Sequence, residues 1–278
     1  MPEAFLEKYL RVENLPTIWC SGCGLGTDMR SIVKAFEQCE LDADKTVLVS
    51  GIGCSSRMPS YVDTNCVHTT HGRALAFATG IKLARPDLTV VVVMGDGDAS
   101  AIGGNHLIHA CRRNLDMTAI VLNNSNYGMT SGQYSPLTPH GSIGTTAPYG
   151  NAEQSFDLCK LAQACGATYV ARSTTFHFEM ITKQVVKAIK HKGFSFIEVI
   201  SQCPTYFGRF NLIGTPADML IDQKEHSIRI ERDDGTQQGI VIGEFHEDTE
   251  LPEYCEVYDG VIAKAKEAKA AKEAAKAG

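Results

Sequence analysis

No apolar run in this sequence approaches the roughly 20 residues that a membrane-spanning helix needs. Basic residues are not in excess either: the net charge is −6. A chain that tracks a phosphate backbone carries a basic footprint, so no nucleic acid partner is expected. The opening stretch, MPEAFLEKYLRVENLP, is charged and has none of the apolar character of a signal peptide. No internal repeat is visible. These absences predict a cytoplasmic protein with no membrane contact, in a compartment where thiols stay reduced. The ten cysteines therefore do not imply disulfides, and they are too scattered for a compact disulfide framework. What is present is globular: 278 residues, 44% hydrophobic, with 25 glycines, enough for one large α/β domain or two modest ones.

Short apolar runs alternate with amphipathic ones. TVLVS (46–50), TVVVVM (89–94), TAIVLN (118–123), ATYVA (167–171) and FIEVI (196–200) read as strands buried on both faces. Helical patterns lie between them at 27–38, 72–83, 103–112, 156–164 and 178–190. The alternation predicts an α/β fold, a mostly parallel sheet flanked by helices on both faces. Ligands of such sheets sit outside the carboxyl ends of the strands. Here those ends are followed by GIGCSSRMP, GDGDASAIGGNH, NSNYGMTSGQYSP and SQCPTYFGRFN, rich in Gly, Asn, Ser and Cys. After Arg209 the pattern weakens, with one further strand expected in GIVIGEF (239–245). The end, IAKAKEAKAAKEAAKAG, is low-complexity and strongly helix-forming.

VVVVMGDGDAS places Gly95, Asp96 and Gly97 at the end of a buried strand. LNNSNYG begins 25 residues after Gly97, at the end of the next strand. Asp96 and Asn124 thus fall at the same end of neighbouring strands and can converge on one hard cation. Magnesium takes such oxygens together with a bound diphosphate. The glycines permit a tight turn and close approach of backbone amides to phosphate oxygens, and a helix beginning near Gly103 adds its positive end. No G-x-G-x-x-G opens a helix after the first strand, which excludes a dinucleotide-binding fingerprint. The motif pair resembles the thiamine diphosphate signature. That resemblance makes Asp96 and Asn124 magnesium ligands, with the backbone carbonyl of Asn126 as a third.

The thiols need a separate account. Cys54 follows the first strand, Cys203 follows the last, and Cys20 and Cys23 lie in a glycine-rich loop before the first helix. All four can meet near the cofactor. Spacing leaves zinc and a 4Fe–4S cluster both open. Chemistry separates them: thiamine-dependent cleavage of a 2-oxoacid leaves an electron-rich carbon, and iron–sulfur can accept its electrons singly whereas zinc cannot. Cys39, Cys111, Cys159 and Cys165 fall in helical patterns and read as core thiols. Cys66 is ambiguous, and Cys255 has no evident role.

Over about residues 15–215 the chain resembles the β subunit of the 2-oxoacid:ferredoxin oxidoreductases. The matching pieces are WCSGCG, GIGCSSR, HTTHGRALAFATGIKLARPDL, GDGDASAIGGNH, NNSNYGMTSGQ and CPT. The resemblance implies a thiamine-diphosphate-binding domain over 1–215 with iron–sulfur loops, followed by a C-terminal extension over 216–278 with a helical tail. It places the cluster ligands at Cys20, Cys23, Cys54 and Cys203. The cofactor contacts fall at Gly53, His71, Gly72, Gly95, Asp96, Gly97, Asp98, Asn124, Asn126, Gly128, Met129 and Thr130. It further implies oxidative decarboxylation of a 2-oxoacid to an acyl-coenzyme A, with coenzyme A as substrate and electrons passing to ferredoxin. In reverse the reaction fixes CO2, as in a reductive TCA cycle.

Among members the chain looks most like the 2-oxoglutarate-specific ones, with pyruvate or another 2-oxoacid as the alternative. A non-redox thiamine-dependent decarboxylase subunit with structural zinc is the further alternative. Arg57, three residues beyond Cys54, is the expected partner of a substrate carboxylate, and His71 the expected histidine at the thiamine. His68, Ser131 and Gln133 are weaker candidates. A carboxylate for the aminopyrimidine, and the domain that would carry it, are not found in the sequence. The family supplies them from an α subunit, so an obligate heterodimer, αβ or (αβ)2, is expected.

Overall fold

Alternate side chains of a strand point to opposite faces, so a run such as Val90 to Met94 is apolar on both. In the computed structural model, which describes residues 8–236 and 238–277, those faces lie between two layers of helix. Val91 and Val93 of β3 (Thr89–Gly95) join Leu48, Ile120, Leu122, Ile197 and Val199 beneath α1 (Leu25–Gln38) and α5 (Phe178–Lys190). Val90, Val92 and Met94 pack the other way, against α2 (Ala74–Ala84), α3 (Gly104–Arg113) and α4 (Leu158–Ala164). Each fully buried aliphatic side chain contributes about 1.5–3 kcal/mol.

The other parallel strands are β1 (Thr46–Ser50), β2 (Asn65–His68), β4 (Met117–Asn123), β5 (Tyr169–Thr174) and β6 (Phe194–Ile200). After α6 (Pro216–Glu225), the strands β7 (Ser227–Arg229) and β8 (Ile240–Glu247) extend the same sheet. Its order is β2-β1-β3-β4-β6-β5-β8-β7. Every pairing is parallel except β5 with β8. The expected α/β sheet is therefore present.

The chain leaves β1 for β2 on one side and returns to β3 on the other. That reversal opens a crevice at the carboxyl ends of β1 and β3, the position at which such sheets bind ligands. The first helix after β2 starts at Ala74 rather than Gly72, because Gly72 has φ +70°. The strand-like stretch before His71 contains the edge strand β2, which ends at His68. Two elements escape the sequence pattern: β7, only three residues long, and α6. A final helix, α7 (Tyr254–Ala277), carries the Ala/Lys tail, and its first turn docks Cys255 into the core at 7% exposure.

One charged network crosses the sheet interior. Arg172 of β5 lies opposite Glu198 of β6. Its Nε donates to Glu198 Oε2 at 2.7 Å, and Nη2 donates to Asp157 Oδ1 at 2.5 Å. Asn123 Nδ2 donates to the remaining Glu198 oxygen at 2.8 Å. Breaking a buried pair strands one charge, which costs about 3–5 kcal/mol. Arg172→Met should lower the urea-unfolding free energy by about that much, and adding Glu198→Gln should restore most of the loss. Equal stability of the single variant and the parent would show that Glu198 finds another partner or a proton.

Candidate functional site

The crevice at β1 and β3 is lined by Ile52, Gly53, Cys54 and Ser55 after β1, and by Gly95 to Asp98 after β3. Asn124 and Asn126 to Thr130 after β4, together with His71, complete it. Glycine is needed at two of these places for a stated reason. Gly53 has φ +114°, and a Cβ at Gly97 would stand 2.2 Å from the Tyr127 ring.

Asn124, Ser125 and Asn126 form the tight part of the cleft. Ser125 adopts φ +60°, a left-handed conformation uncommon outside glycine. Its amide is held by Asn123 Oδ1 at 3.0 Å and its carbonyl by Thr138 Oγ1 at 2.6 Å. The reversal turns the Asn124 side chain and the Asn126 carbonyl to one point. The polar end of the Asn124 side chain lies 3.2 Å from Asp96 Oδ1 and 2.7 Å from the Asn126 carbonyl oxygen. With its nitrogen inward the amide donates to both oxygens; with its oxygen inward, three acceptors face one point, the arrangement a cation would require. Ligands at about 2.1 Å in an octahedron stand about 3 Å apart, so this oxygen set fits magnesium.

Asp96 is 2% exposed. Burial pushes its carboxyl up to about 7, although Ser135 Oγ donates to Oδ2 at 2.5 Å and lowers it. Ser135, 39 residues from Asp96, is a site residue that sequence reasoning missed; nothing local marks it. Asp98 Oδ1 is held by the His71 imidazole Nδ1 and the Gly72 amide, each at 2.5 Å. Burial raises its carboxyl, against the amide bond from Gly72 and the charge of His71. Gly72 therefore stands behind Asp98 instead of lining the cleft. The His71 ring meets Tyr127 edge-on at 6.0 Å. Ser55 Oγ is buried and without a partner among the described residues, a donor free for a phosphate oxygen.

Thr130 lines the cleft, but its hydroxyl donates to Gln133 Oε1 at 2.6 Å and Gln133 returns a bond to the Thr130 carbonyl. Both thus spend their polar groups on the turn. His68 is exposed and bonds Ser50. Arg57 does not line the cleft. It lies one turn beyond Cys54, its amide donating to the Cys54 carbonyl at 3.3 Å, and its Nε is buried without a partner among the described residues.

The four candidate thiols line one cavity. Cys20, Cys23, Cys54 and Cys203 surround it with Ile18, Trp19, Pro204 and Tyr206, and all four are free. Trp19 Nε1 donates to the Cys54 carbonyl at 2.8 Å. Among the described residues no three His, Cys, Asp or Glu side chains stand close enough to share a single ion. The four thiols line a common space. Burial pushes the Cys23 thiol up to about 12 and the Cys54 thiol up to about 11, so a metal must displace their protons. Cleft and cavity are contiguous: Cys54, Asn124, Gly128 and Met129 line both. The other cysteines stay apart. Cys111 and Cys159 are core residues, Cys39 and Cys165 pack against the core clusters, and Cys66 sits on the edge strand β2.

A parallel sheet with a polar cleft between glycine turns at its switch point is the arrangement of a thiamine-type diphosphate site. Residues 51–199, more than half of the chain, match the family described as thiamine pyrophosphate enzyme, C-terminal TPP binding domain. The chain is 54% identical over 264 residues to the 2-oxoglutarate synthase subunit KorB of Methanocaldococcus jannaschii, covering 93% of this chain and 97% of that one. It is 54% identical over 251 residues to the KorB of Archaeoglobus fulgidus, covering 89% and 91%. A solved 2-oxoglutarate:ferredoxin oxidoreductase from Magnetococcus marinus, with 2-oxoglutarate, coenzyme A and succinyl-CoA bound, superposes with a TM-score of 0.85. It is 32% identical, covering 94% of this chain and 90% of that one. The chain belongs to the β subunits of the 2-oxoacid:ferredoxin oxidoreductases, among the 2-oxoglutarate synthase members.

Asp96 makes a pH test possible. Its folded-state pKa is raised, so between about pH 4 and about pH 7 the folded chain holds a proton that the unfolded chain has lost. The metal-free protein therefore loses stability from this group as pH rises through that window. Asp96→Asn removes the effect. In urea titrations its advantage over the parent should grow from pH 4 to pH 7 and level off above. A gap independent of pH would mean that Asp96 is ionised throughout.

Proposed function

We propose that this β subunit works in the coenzyme A-dependent oxidative decarboxylation of 2-oxoglutarate to succinyl-CoA and CO2. Two electrons leave one at a time through a 4Fe–4S cluster to ferredoxin, and the reaction is reversible. The observation that carries this reading is contiguity: the oxygen cleft and the four-thiol cavity share Cys54, Asn124, Gly128 and Met129. When bound, thiamine diphosphate supplies the electron sink for decarboxylation, and the cluster supplies the one-electron acceptor. Substrate and coenzyme A are those of the bound Magnetococcus marinus enzyme.

Asp96, Asn124 and the Asn126 carbonyl hold magnesium on the diphosphate. The backbone at Gly53, Gly95, Gly97 and Gly128 lets phosphate oxygens approach, and Ser55 Oγ donates to one of them. Asp98 keeps the His71 ring fixed in the cleft wall, where its other ring nitrogen would hold or pass a proton once the cofactor is bound. Cys20, Cys23, Cys54 and Cys203 ligate the cluster. Arg57, with no ion pair of its own among the described residues, receives a substrate carboxylate.

The pyrimidine half of the site, with its activating glutamate, comes from an α subunit. The relatives are themselves named as subunits. The isolated, anaerobic chain should keep magnesium-dependent affinity for thiamine diphosphate. It should show no 2-oxoglutarate-dependent reduction of ferredoxin until α subunit is added. Sustained turnover without α subunit would place the activating acid in this chain and overturn the half-site reading.

In the αβ enzyme, Arg57→Ala removes a charge-assisted contact of about 1.5–3 kcal/mol. The KM for 2-oxoglutarate should rise about ten- to a hundredfold, with thiamine diphosphate affinity nearly unchanged. Parental kinetics with every 2-oxoacid tested would remove Arg57 from the substrate site.

A further inference from the structure

The four thiols come from three separate segments, so something must hold those segments in register. Cys54 is fastened directly to the end of β1. Cys20 and Cys23 sit in the loop before α1, and Cys203 sits in the loop after β6, 180 residues further along. These two loops are joined at three places. The Gly24 amide donates to the Gln202 carbonyl at 3.1 Å, and Gln202 Nε2 donates to the Gly22 carbonyl at 3.2 Å. The third link is a side-chain carboxylate: Asp28, in the first turn of α1, accepts from Ser201 Oγ at 2.6 Å through Oδ2. Its Oδ1 accepts from Thr175 Oγ1 at 2.8 Å.

Asp28 has 0% exposure. Burying a carboxylate is costly unless its hydrogen bonds are strong. It lines neither the cleft nor the thiol cavity, so it touches no reactant. The packing around it leaves no slack. A Cβ on Gly24 would stand 2.4 Å from Ser201 Oγ, 2.6 Å from Gln202 Oε1 and 2.8 Å from Thr175 Oγ1. The helix that begins immediately after Cys23 is thus pressed against the segment that leads to Cys203, and Asp28 bonds that segment from within the helix.

We propose that Asp28 is a positioning residue that latches the Cys20–Cys23 loop to the Cys203 loop and holds the thiols at the separation a polynuclear cluster needs. The inference rests on the cluster reading given above. It predicts an asymmetry between the two arms of one carboxylate. The Ser201 arm crosses directly to the Cys203 loop at 2.6 Å, whereas the Thr175 arm reaches the lead-in to α5, and the Thr175 hydroxyl makes only a longer 3.4 Å contact with the Ile200 carbonyl.

The test is the rate of iron release to a chelator from the anaerobic αβ enzyme, in Ser201→Ala, Thr175→Val, Asp28→Asn and Asp28→Ala. Thermal stability and thiamine diphosphate affinity are measured alongside. Ser201→Ala and Asp28→Ala should release iron about tenfold faster than the parent, the change that loss of one charge-assisted hydrogen bond brings. Asp28→Asn can still accept from one hydroxyl and donate to the other, so it should rescue the parental rate. Thr175→Val should lower thermal stability as much as Ser201→Ala does while leaving iron release near the parental rate.

If Asp28→Ala fails to fold, the Ser201 and Thr175 variants carry the comparison alone. Equal release rates in the Ser201 and Thr175 variants would overturn the latch, as would parental release in all variants of an iron-containing parent. A parent that purifies without iron would instead overturn the cluster reading on which the latch rests.

Discussion

The convergence of Asp96, Asn124 and the Asn126 carbonyl on one buried point organises this site. The Asn124 side-chain amide lies 3.2 Å from Asp96 Oδ1 and 2.7 Å from the Asn126 carbonyl oxygen. Burying so many polar groups together is costly unless each finds a partner. The fold supplies the constraint that holds them together. Asp96 follows β3, Asn124 follows β4, and the two strands are bonded in parallel register. Ser125 in a left-handed conformation and the short Ser135 bond close the remaining freedom. The rest of the cleft is arranged around that point: glycine turns on one side, the Asp98–His71 pair on another, and the thiol cavity beyond Gly128.

The contiguity of cleft and thiol cavity has a functional consequence under the proposed reading. Electron transfer from a bound cofactor to a cluster weakens with distance, and here both would share four lining residues. Gly128 is central to this. A Cβ there would meet Cys54 Sγ at 3.3 Å and Asn126 Oδ1 at 3.4 Å, so the wall between the two spaces is already as thin as the chain permits. Among the described residues after 215, the strands β7 and β8 extend the existing sheet instead of starting a second α/β unit.

Much of this was legible in the sequence because buried parallel strands read as unbroken apolar runs. The runs at 46–50, 89–94 and 118–123 became β1, β3 and β4 within one residue at either end. Motifs at strand ends then located the cleft. The short edge strand β7 was not legible, since its three residues include none that is buried. α6 was missed although Thr215 and Asp218 form a capping box and Pro216 stands at its first position. Those were local signals, obscured by the weak periodicity that follows. Ser135, Asp28 and the Arg172–Glu198 pair were invisible for a different reason. Their partners lie 39, 173 and 26 residues away along the chain, and no window of sequence brings them together.

Under the proposed reading, this single chain carries a redox cluster on Cys20, Cys23, Cys54 and Cys203 beside a thiamine diphosphate half-site. The most direct measurement is the optical spectrum of the anaerobically purified chain, before and after dithionite, with iron, sulfide and zinc analysis of the same sample. The account predicts a brown protein that bleaches on reduction, with iron and acid-labile sulfide present in equal amounts. A colourless protein containing one zinc per chain and no sulfide would contradict it.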